Sequence, residues 1–157
     1  RVLYQAALWT VRARPSGSAE FPSIASVLSR PRTWRGSGAL AGALPKLMRT
    51  HSVDSGFTWS VPQGTGLEGD YPSLRVLPDE RLLLTYTERG PEGGSVCAQT
   101  SSDGGVTWQR VLLCNEPGCQ YHYPQSVALG DGAMLTVCMT TPPDGVRVVQ
   151  SVRWALA

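Results

Sequence analysis

An eight-residue pattern occurs twice in this chain and constrains its fold more than any other feature of the sequence. Residues 52–59, the first motif, and residues 101–108, the second motif, both read S-x-D-x-G-x-T-W, with their aspartates 49 residues apart. A Tyr-Pro pair followed by apolar residues and a turn also recurs, in 71–87 and in 123–140, at an offset of 52 residues. Self-similarity at a period of about 50 residues is typical of folds that stack one supersecondary unit on the next.

Each repeat predicts short strands joined by turns. Residues 71–77 and 81–87 are rich in β-forming residues and flank a turn at 78–80, and the later copy turns at Gly-Asp-Gly in 130–132. The Gly-Thr-Gly stretch 64–66 is interpreted as a loop. About four short strands in roughly 50 residues is the size of one propeller blade. Further strands are predicted at 47–51, 95–101, 108–114 and 146–154.

The composition agrees with a β-rich chain that has many turns. The 157 residues include 17 glycines and 12 prolines, and charged residues make up 17% of them, below the usual ~25%. This balance argues against coiled coils and against wholesale disorder, which needs low hydrophobicity and high net charge. No apolar run approaches the ~18 residues of a membrane span, so we expect none.

Charge is distributed unevenly along the chain. The first 50 residues hold seven arginines and one lysine against a single acid, whereas the rest hold six arginines and eleven acids. We therefore divide the chain into a basic, Arg- and Ser-rich segment of uncertain order, 1–46, and a repeat region, 47–157. The basic residues are scattered and match no nucleic-acid-binding motif, so we expect no nucleic-acid partner. Because the chain begins with Arg1 rather than Met, we interpret it as a fragment or a processed product.

The residue types of the two motifs suit a hairpin turn. Serine and aspartate side chains accept backbone N–H groups, glycine permits a positive φ, and threonine favours the start of a strand. The tryptophan would pack beneath the turn and bury a large apolar area. We therefore expect these aspartates to build the fold rather than to catalyse. The motif residues are Ser52, Asp54, Gly56, Thr58 and Trp59 in the first copy and Ser101, Asp103, Gly105, Thr107 and Trp108 in the second.

The two motifs resemble the Asp boxes, or BNR repeats, of the sialidase (neuraminidase) superfamily, and the Tyr-Pro blocks are similar to bacterial-type members. The resemblance covers about 47–157 and implies an all-β fold of about three blades from the C-terminal half of a six-bladed propeller. Asp boxes also occur in propellers that are not sialidases, such as sortilin-type receptors. Half a ring would leave open sheet edges, so we expect self-association, unless 2–8 pairs with 146–154 and covers one edge.

The resemblance implies an exo-α-sialidase-like glycoside hydrolase that acts on terminal sialic acids of glycans without a cofactor. Such enzymes use a tyrosine nucleophile activated by a glutamate, because a carboxylate would be repelled by the substrate's own carboxylate. Three arginines clamp that carboxylate. The resemblance points to Tyr123 as the nucleophile and to Arg89, 34 residues earlier, as one clamp residue. As alternatives, the Tyr123 ring packs within its strand, and Arg89 is a solvated loop residue.

The sequence also departs from the family pattern. The Arg-Ile-Pro signature with the first clamp arginine is absent, and the acid/base aspartate has no counterpart. Glu68 and Asp70, interpreted as loop residues, are the acids nearest to a Tyr-Pro pair. We therefore expect no turnover by this chain alone. The alternative function is a catalytically inactive propeller that binds glycans or proteins.

The four cysteines and the two histidines match no metal-binding spacing, so we expect no metal site. We interpret the cysteines as free or buried thiols, with a Cys114–Cys119 disulfide as the alternative. His51 and His122 are interpreted as structural residues.

Overall fold

A computed structural model describes residues 24–29, 46–52, 54 and 57–156 of the chain. These residues form ten β-strands and no helix, which confirms the predicted all-β class. The described part of the chain accordingly contains no helix that could cross a membrane. The strands are β1 (Ile24–Ser29), β2 (Lys46–Ser52), β3 (Gln63–Glu68), β4 (Asp70–Val76), β5 (Leu82–Gly90), β6 (Gly93–Ser101), β7 (Gln109–Cys114), β8 (Gln120–Ala128), β9 (Ala133–Thr141) and β10 (Val148–Ala155).

The strands pair in chain order into three antiparallel sheets. The first sheet contains β1, β2 and β3, the second contains β4 to β7, and the third contains β8, β9 and β10. Short turns connect β4 to β5, β5 to β6 and β8 to β9, and the last of these is the predicted turn at 130–132, where Gly132 has a φ of 81°. None of the three sheets closes on itself. Residues 2–8, which were predicted to pair with 146–154, lie outside the described residues.

The predicted strands of the repeat region are confirmed, with boundaries that differ by a few residues. The Gly-Thr-Gly stretch is the exception, because it lies inside β3 and is not a loop. Pairing with β2 holds it extended, and the Thr65 hydroxyl adds a hydrogen bond to the carbonyl oxygen of Leu47 at 2.9 Å. Glycine disfavours a strand only weakly, so a ladder partner from elsewhere in the chain decides the conformation.

Hydrophobic side chains that alternate along the strands pack the sheets face to face. Leu47 of the first sheet forms one cluster with Leu84 and Tyr86 of the second sheet. Leu83, which points to the opposite face, forms another cluster with Met134 of the third sheet. These five side chains are at most 1% exposed. The core therefore consists of two layers, with the second sheet between the other two.

Candidate functional site

The tyrosines of the two Tyr-Pro pairs lie next to each other in space. Tyr71 is in β4 and Tyr123 is in β8, and their ring centroids are 4.3 Å apart with an interplanar angle of 52°. Both residues have a positive φ, 53° and 51°. This region is rarely occupied by a bulky aromatic residue, so both backbones are strained. Strain of this kind concentrates at functional sites, which makes this pair the leading candidate.

A local irregularity in each strand places the two tyrosines. The pairing of β4 with β5 shifts register between Asp70 and Ser73, and the pairing of β8 with β9 shifts between His122 and Gln125. In both strands a proline follows the tyrosine, and proline cannot donate a hydrogen bond to the sheet. The same sequence feature therefore produces the same bulge in both repeats and turns each tyrosine out of the regular ladder.

Charged and aromatic groups surround the pair. The His122 ring lies 5.7 Å from the Tyr71 ring and 6.2 Å from the Tyr123 ring, measured between centroids. The Arg89 Nε donates a hydrogen bond to the Asp70 Oδ2 at 2.7 Å, an ion pair between β5 and β4. We call these five residues the tyrosine cluster. Tyr123 is its most accessible ring, with 52% of its surface exposed.

The surroundings of the cluster keep the Tyr71 and His122 rings uncharged. Burial raises the pKa of Tyr71, and the neighbouring Tyr123 raises it further. Burial is the largest cause that lowers the pKa of His122, and the positive charges of Arg89 and Arg147 lower it further. At neutral pH the His122 ring is therefore uncharged, and the cations near the rings are the two arginines. An aromatic surface with guanidinium groups at its edge suits a ligand that combines an apolar face with a carboxylate.

The sequence predicted two members of this cluster, Tyr123 and Arg89, and the structure brings them into the same group. Arg89 belongs to β5 rather than to a loop, and its guanidinium already pairs with Asp70. Asp70 and Glu68 were interpreted as loop residues, but they begin β4 and end β3. The reason is that β3 and β4 are separated by a single residue, which leaves no loop there.

Sequence reasoning missed Tyr71, His122 and Arg147 as members or neighbours of the site. The 52-residue offset was the available signal for Tyr71, because it makes Tyr71 and Tyr123 equivalent positions of two repeats. His122 was interpreted as structural, although its ring faces both tyrosines. Arg147 follows a turn and matches no motif, so only the fold places it near His122.

The aspartates of both motifs hold their turns, as the residue types suggest. Asp103 Oδ1 accepts the backbone N–H groups of Val106 and Thr107 at 3.0 and 2.9 Å, and its Oδ2 accepts the Thr107 hydroxyl at 2.6 Å. Asp54 accepts the Thr58 N–H at 2.9 Å and the Thr58 hydroxyl at 2.6 Å. Because the carboxylates accept these hydrogen bonds in their ionised form, the pKa of Asp103 lies well below its usual range and that of Asp54 falls to about 2.

The serines and glycines of the motifs complete the same turns. Ser52 and Ser101 each donate a hydroxyl hydrogen bond of 2.7 Å to the aspartate two residues later. Gly105 has the expected positive φ, 86°, and a Cβ atom there would lie 3.1 Å from the Trp108 ring, a tight contact. The other predicted glycine, Gly56, lies outside the described residues.

The tryptophans of the two motifs differ in burial. Trp108 packs against the cluster around Leu47, as predicted. Trp59 is more accessible, with 37% of its surface exposed, and its predicted packing beneath the first turn stays a prediction. Trp108 directly precedes β7, which pairs with β6 over the core, whereas Trp59 is separated from β3 by three residues outside any strand.

A tyrosine–glutamate pair also occurs inside the second sheet. The Tyr86 hydroxyl donates to Glu88 Oε1 at 3.0 Å, and Gln99 Nε2 donates to the Tyr86 oxygen at 2.7 Å. Arg110 Nη2 donates to Glu88 Oε2 at 2.7 Å. Burial holds the pKa of Tyr86 well above its usual value, and its side chain is 1% exposed. Tyr86 therefore cannot reach a ligand. The hydrogen-bond network around it instead joins β5, β6 and β7.

The four cysteines are buried and unbridged. Cys114 lies in one core cluster with Cys119 and Cys138. The alternative of a Cys114–Cys119 disulfide is therefore not realised, because both residues are free thiols. Within the described residues, no group of three or more histidine, cysteine, aspartate or glutamate side chains could hold a metal ion.

Comparison with known proteins supports the fold and adds no function. No protein-family profile and no curated protein matches this chain. A crystal structure of a protein of unknown function from Dyadobacter fermentans is similar, with a TM-score of 0.68 and 20% sequence identity. The match covers 87% of this chain but 35% of the other one. The chain thus spans about a third of the length of that relative, and the likeness concerns the fold alone.

Proposed function

We propose that this chain is part of a sialidase-like β-propeller and that the tyrosine cluster belongs to its sugar-binding site. The observation that carries the proposal is the pairing of Tyr71 with a half-exposed Tyr123 beside Arg89. The two motifs support the family assignment, because they resemble Asp boxes in sequence and close their turns with serine, aspartate and threonine. Three stacked antiparallel sheets are also compatible with successive blades.

In the proposed reaction, the Tyr123 oxygen attacks the anomeric carbon of a terminal sialic acid. The bond from that carbon to the glycosidic oxygen breaks, and an acid protonates the departing oxygen. Water then cleaves the tyrosyl–sugar bond, which retains the configuration. Arg89 would bind the carboxylate of the sugar. The acid/base residue and the other clamp arginines would come from a part of the protein beyond these repeats.

A catalytically inactive glycan-binding propeller is the second candidate, and one observation favours it. Arg89 already pairs with Asp70 at 2.7 Å, so a substrate carboxylate would have to compete with an internal one. Within the described residues, no carboxylate is hydrogen-bonded to the Tyr123 hydroxyl. Binding would then use the stacked rings and the arginines without a covalent step.

Two measurements test the proposal and separate its two forms. We would record the binding of α-methyl sialoside to the 157-residue chain by NMR, and the hydrolysis of a fluorogenic sialoside by the chain and by the complete protein. We expect binding shifts at the tyrosine cluster, a weaker interaction in Arg89→Lys and no turnover by the chain alone. Arg153→Lys is the matched control, because this exposed arginine pairs with Asp131 away from the cluster.

The outcomes are distinct. Hydrolysis by the complete protein that Tyr123→Phe abolishes supports the hydrolase. Binding without any hydrolysis supports the inactive propeller. If neither binding nor hydrolysis is detected, both forms of the proposal are wrong.

A further inference from the structure

We infer that the side of the third sheet that is turned away from the second sheet is a docking surface for a second copy of this chain. We call this surface the outer face. The inference goes beyond the proposed function, and it holds whether or not the tyrosine cluster binds a sugar. The apolar residues of the outer face are Val127 in β8, Leu135, Val137 and Met139 in β9, and Val149 in β10.

The register of the third sheet places these residues on one side. Val127 lies opposite Leu135 in the ladder of β8 and β9, and Val149 lies opposite Met139 in the ladder of β9 and β10. Opposed residues of an antiparallel pair share a face, and successive residues of a strand alternate between faces. Because Met134 packs into the core against the second sheet, every second residue from Leu135 onward points outward.

The outward positions of β9 are more apolar than its inward positions. Leu135, Val137 and Met139 point outward, whereas Thr136 and Thr140 point inward and are 2% exposed. An antiparallel sheet with one face in water normally carries polar residues on that face. The outer face therefore has the composition of a sheet surface that another element covers.

The repeat indicates what kind of element covers such a surface. The offset of 52 residues makes Leu135 the equivalent of Leu83 in β5. It also makes Val137 the equivalent of Thr85. Leu83 and Thr85 are at most 1% exposed because the third sheet packs on them, with the Thr85 hydroxyl 2.7 Å from that of Ser126. The equivalent surface of β9 is thus suited to a further β-sheet.

A second copy of the chain is the occupant that the structure favours. The ten strands all belong to the three sheets, so the described residues contain no further sheet that could cover the outer face. Hydrophobic contact is not directional, so an apolar sheet face is complementary to its own copy across a two-fold axis, the commonest symmetry of protein dimers. Arg153 shares this face opposite Leu135, but Asp131 already pairs with its charge.

The size of the outer face predicts a weak dimer. Val127, Val137 and Val149 are 45%, 37% and 77% exposed. Three strands of this length cover about 14 Å by about 26 Å, a few hundred Å². Exposed apolar patches of that size mark interaction sites. Stable interfaces bury about 800 Å² on each partner, so we expect a dimer that forms at high concentration and dissociates on dilution.

The test is analytical ultracentrifugation of the 157-residue chain from micromolar to near-millimolar concentration. We expect the average mass to rise toward twice that of the monomer. Val137→Lys places a charge at the centre of the outer face, opposite the same charge of the partner, and should raise the dissociation constant at least about tenfold. Val106→Lys is the matched control, because Val106 is 70% exposed in the turn of the second motif. This control should associate like the unaltered chain.

A mass that does not change with concentration would overturn the inference, and the occupant would then be another part of the complete protein or a different partner. Association that Val137→Lys leaves intact, or that Val106→Lys weakens equally, would also overturn it. Should Val137→Lys fail to fold, methyl NMR signals of the unaltered chain decide. Shifts with concentration at Val137 and Val149 but not at Val106 support the inference, and any other pattern contradicts it.

Discussion

The hydroxyl groups of Thr85 and Ser126 lie 2.7 Å apart across the interface between the second and the third sheet. The Ser126 oxygen also lies 2.7 Å from the Thr136 hydroxyl oxygen, which accepts a hydrogen bond from Trp154 Nε1 at 2.9 Å. The three hydroxyl side chains are at most 2% exposed. A buried network of polar groups stabilises a fold only while each group has a hydrogen-bond partner. This network therefore specifies how the second and third sheets face each other.

Removal of the central hydroxyl should destabilise the protein. Ser126→Ala leaves Thr85 and Thr136 each without one partner, and we expect the free energy of unfolding to fall by about 1–3 kcal/mol. Urea denaturation followed by tryptophan fluorescence measures this change. The double variant Thr85→Val/Ser126→Ala should lose less than the sum of the single variants, because they share one interaction. Simple additivity would show that the hydroxyls are not coupled.

A methyl group at Gly69 should be poorly tolerated, in contrast to one at Gly64. A Cβ atom at Gly69 would lie 2.5 Å from the Thr87 carbonyl oxygen and 2.5 Å from the Tyr86 ring. We expect Gly69→Ala to cost about 1–3 kcal/mol through overpacking. Gly64→Ala is the matched control, because nothing lies within 4 Å of the added atom. Equal thermal melts for the two variants would contradict the close approach of Gly69 to β5.

The two motif tryptophans should differ in their contribution to stability. Trp108→Ala removes a ring that packs on the Leu47 cluster, and we expect a loss of roughly 3 kcal/mol. Trp59→Ala removes the equivalent ring of the first motif, which is 37% exposed, and should cost less. Chemical denaturation of both variants measures the difference. A larger effect at Trp59 would show that the first motif packs more tightly than the second.

The low pKa of Asp103 predicts a loss of stability in acid. Its folded-state pKa lies below the ordinary value of 3.8 because the Thr107 and Ser101 groups donate hydrogen bonds to the carboxylate. The stabilisation is therefore complete above the unfolded-state value and is lost as the pH falls toward the folded-state value. We expect Asp103→Asn to lower the melting temperature at neutral pH and to flatten its decline between about pH 5 and about pH 2.

Glu92→Gln serves as the control for that experiment, since Glu92 is an exposed turn residue outside both motifs. Its melting curve should decline in acid as steeply as that of the unaltered chain. A decline in Asp103→Asn as steep as in the control would show that Asp103 does not hold the turn.

The cysteines should resist thiol reagents in the folded protein. Burial raises the pKa of Cys97 to about 11, and a hydrogen bond with Cys138 together with burial raises the pKa of Cys114, whereas the same hydrogen bond lowers the pKa of Cys138 to about 7. Because all four thiols are buried and a reagent must reach the sulfur atom, we expect slow reaction with Ellman's reagent at neutral pH and rapid reaction of all four thiols in denaturant. Fast reaction of a native thiol would indicate that a core cluster opens.

The sequence by itself determined the features that depend on neighbouring residues. The turn of the second motif is closed by Ser101, Asp103 and Thr107, which lie within seven positions of one another, so their residue types predicted their hydrogen bonds. Runs of β-forming residues bounded by turn residues predicted most strands in the same way. The repeat offset also indicated that the same local structure occurs twice.

Only the tertiary structure decided the features that depend on which faces meet. The strand at the Gly-Thr-Gly stretch needs β2 as a partner. The contact between Tyr71 and Tyr123 joins residues 52 positions apart, at 4.3 Å between ring centroids. A pattern in the sequence can mark such positions as equivalent. Their distance depends on how β4 packs on β8, and that packing is set by the whole core.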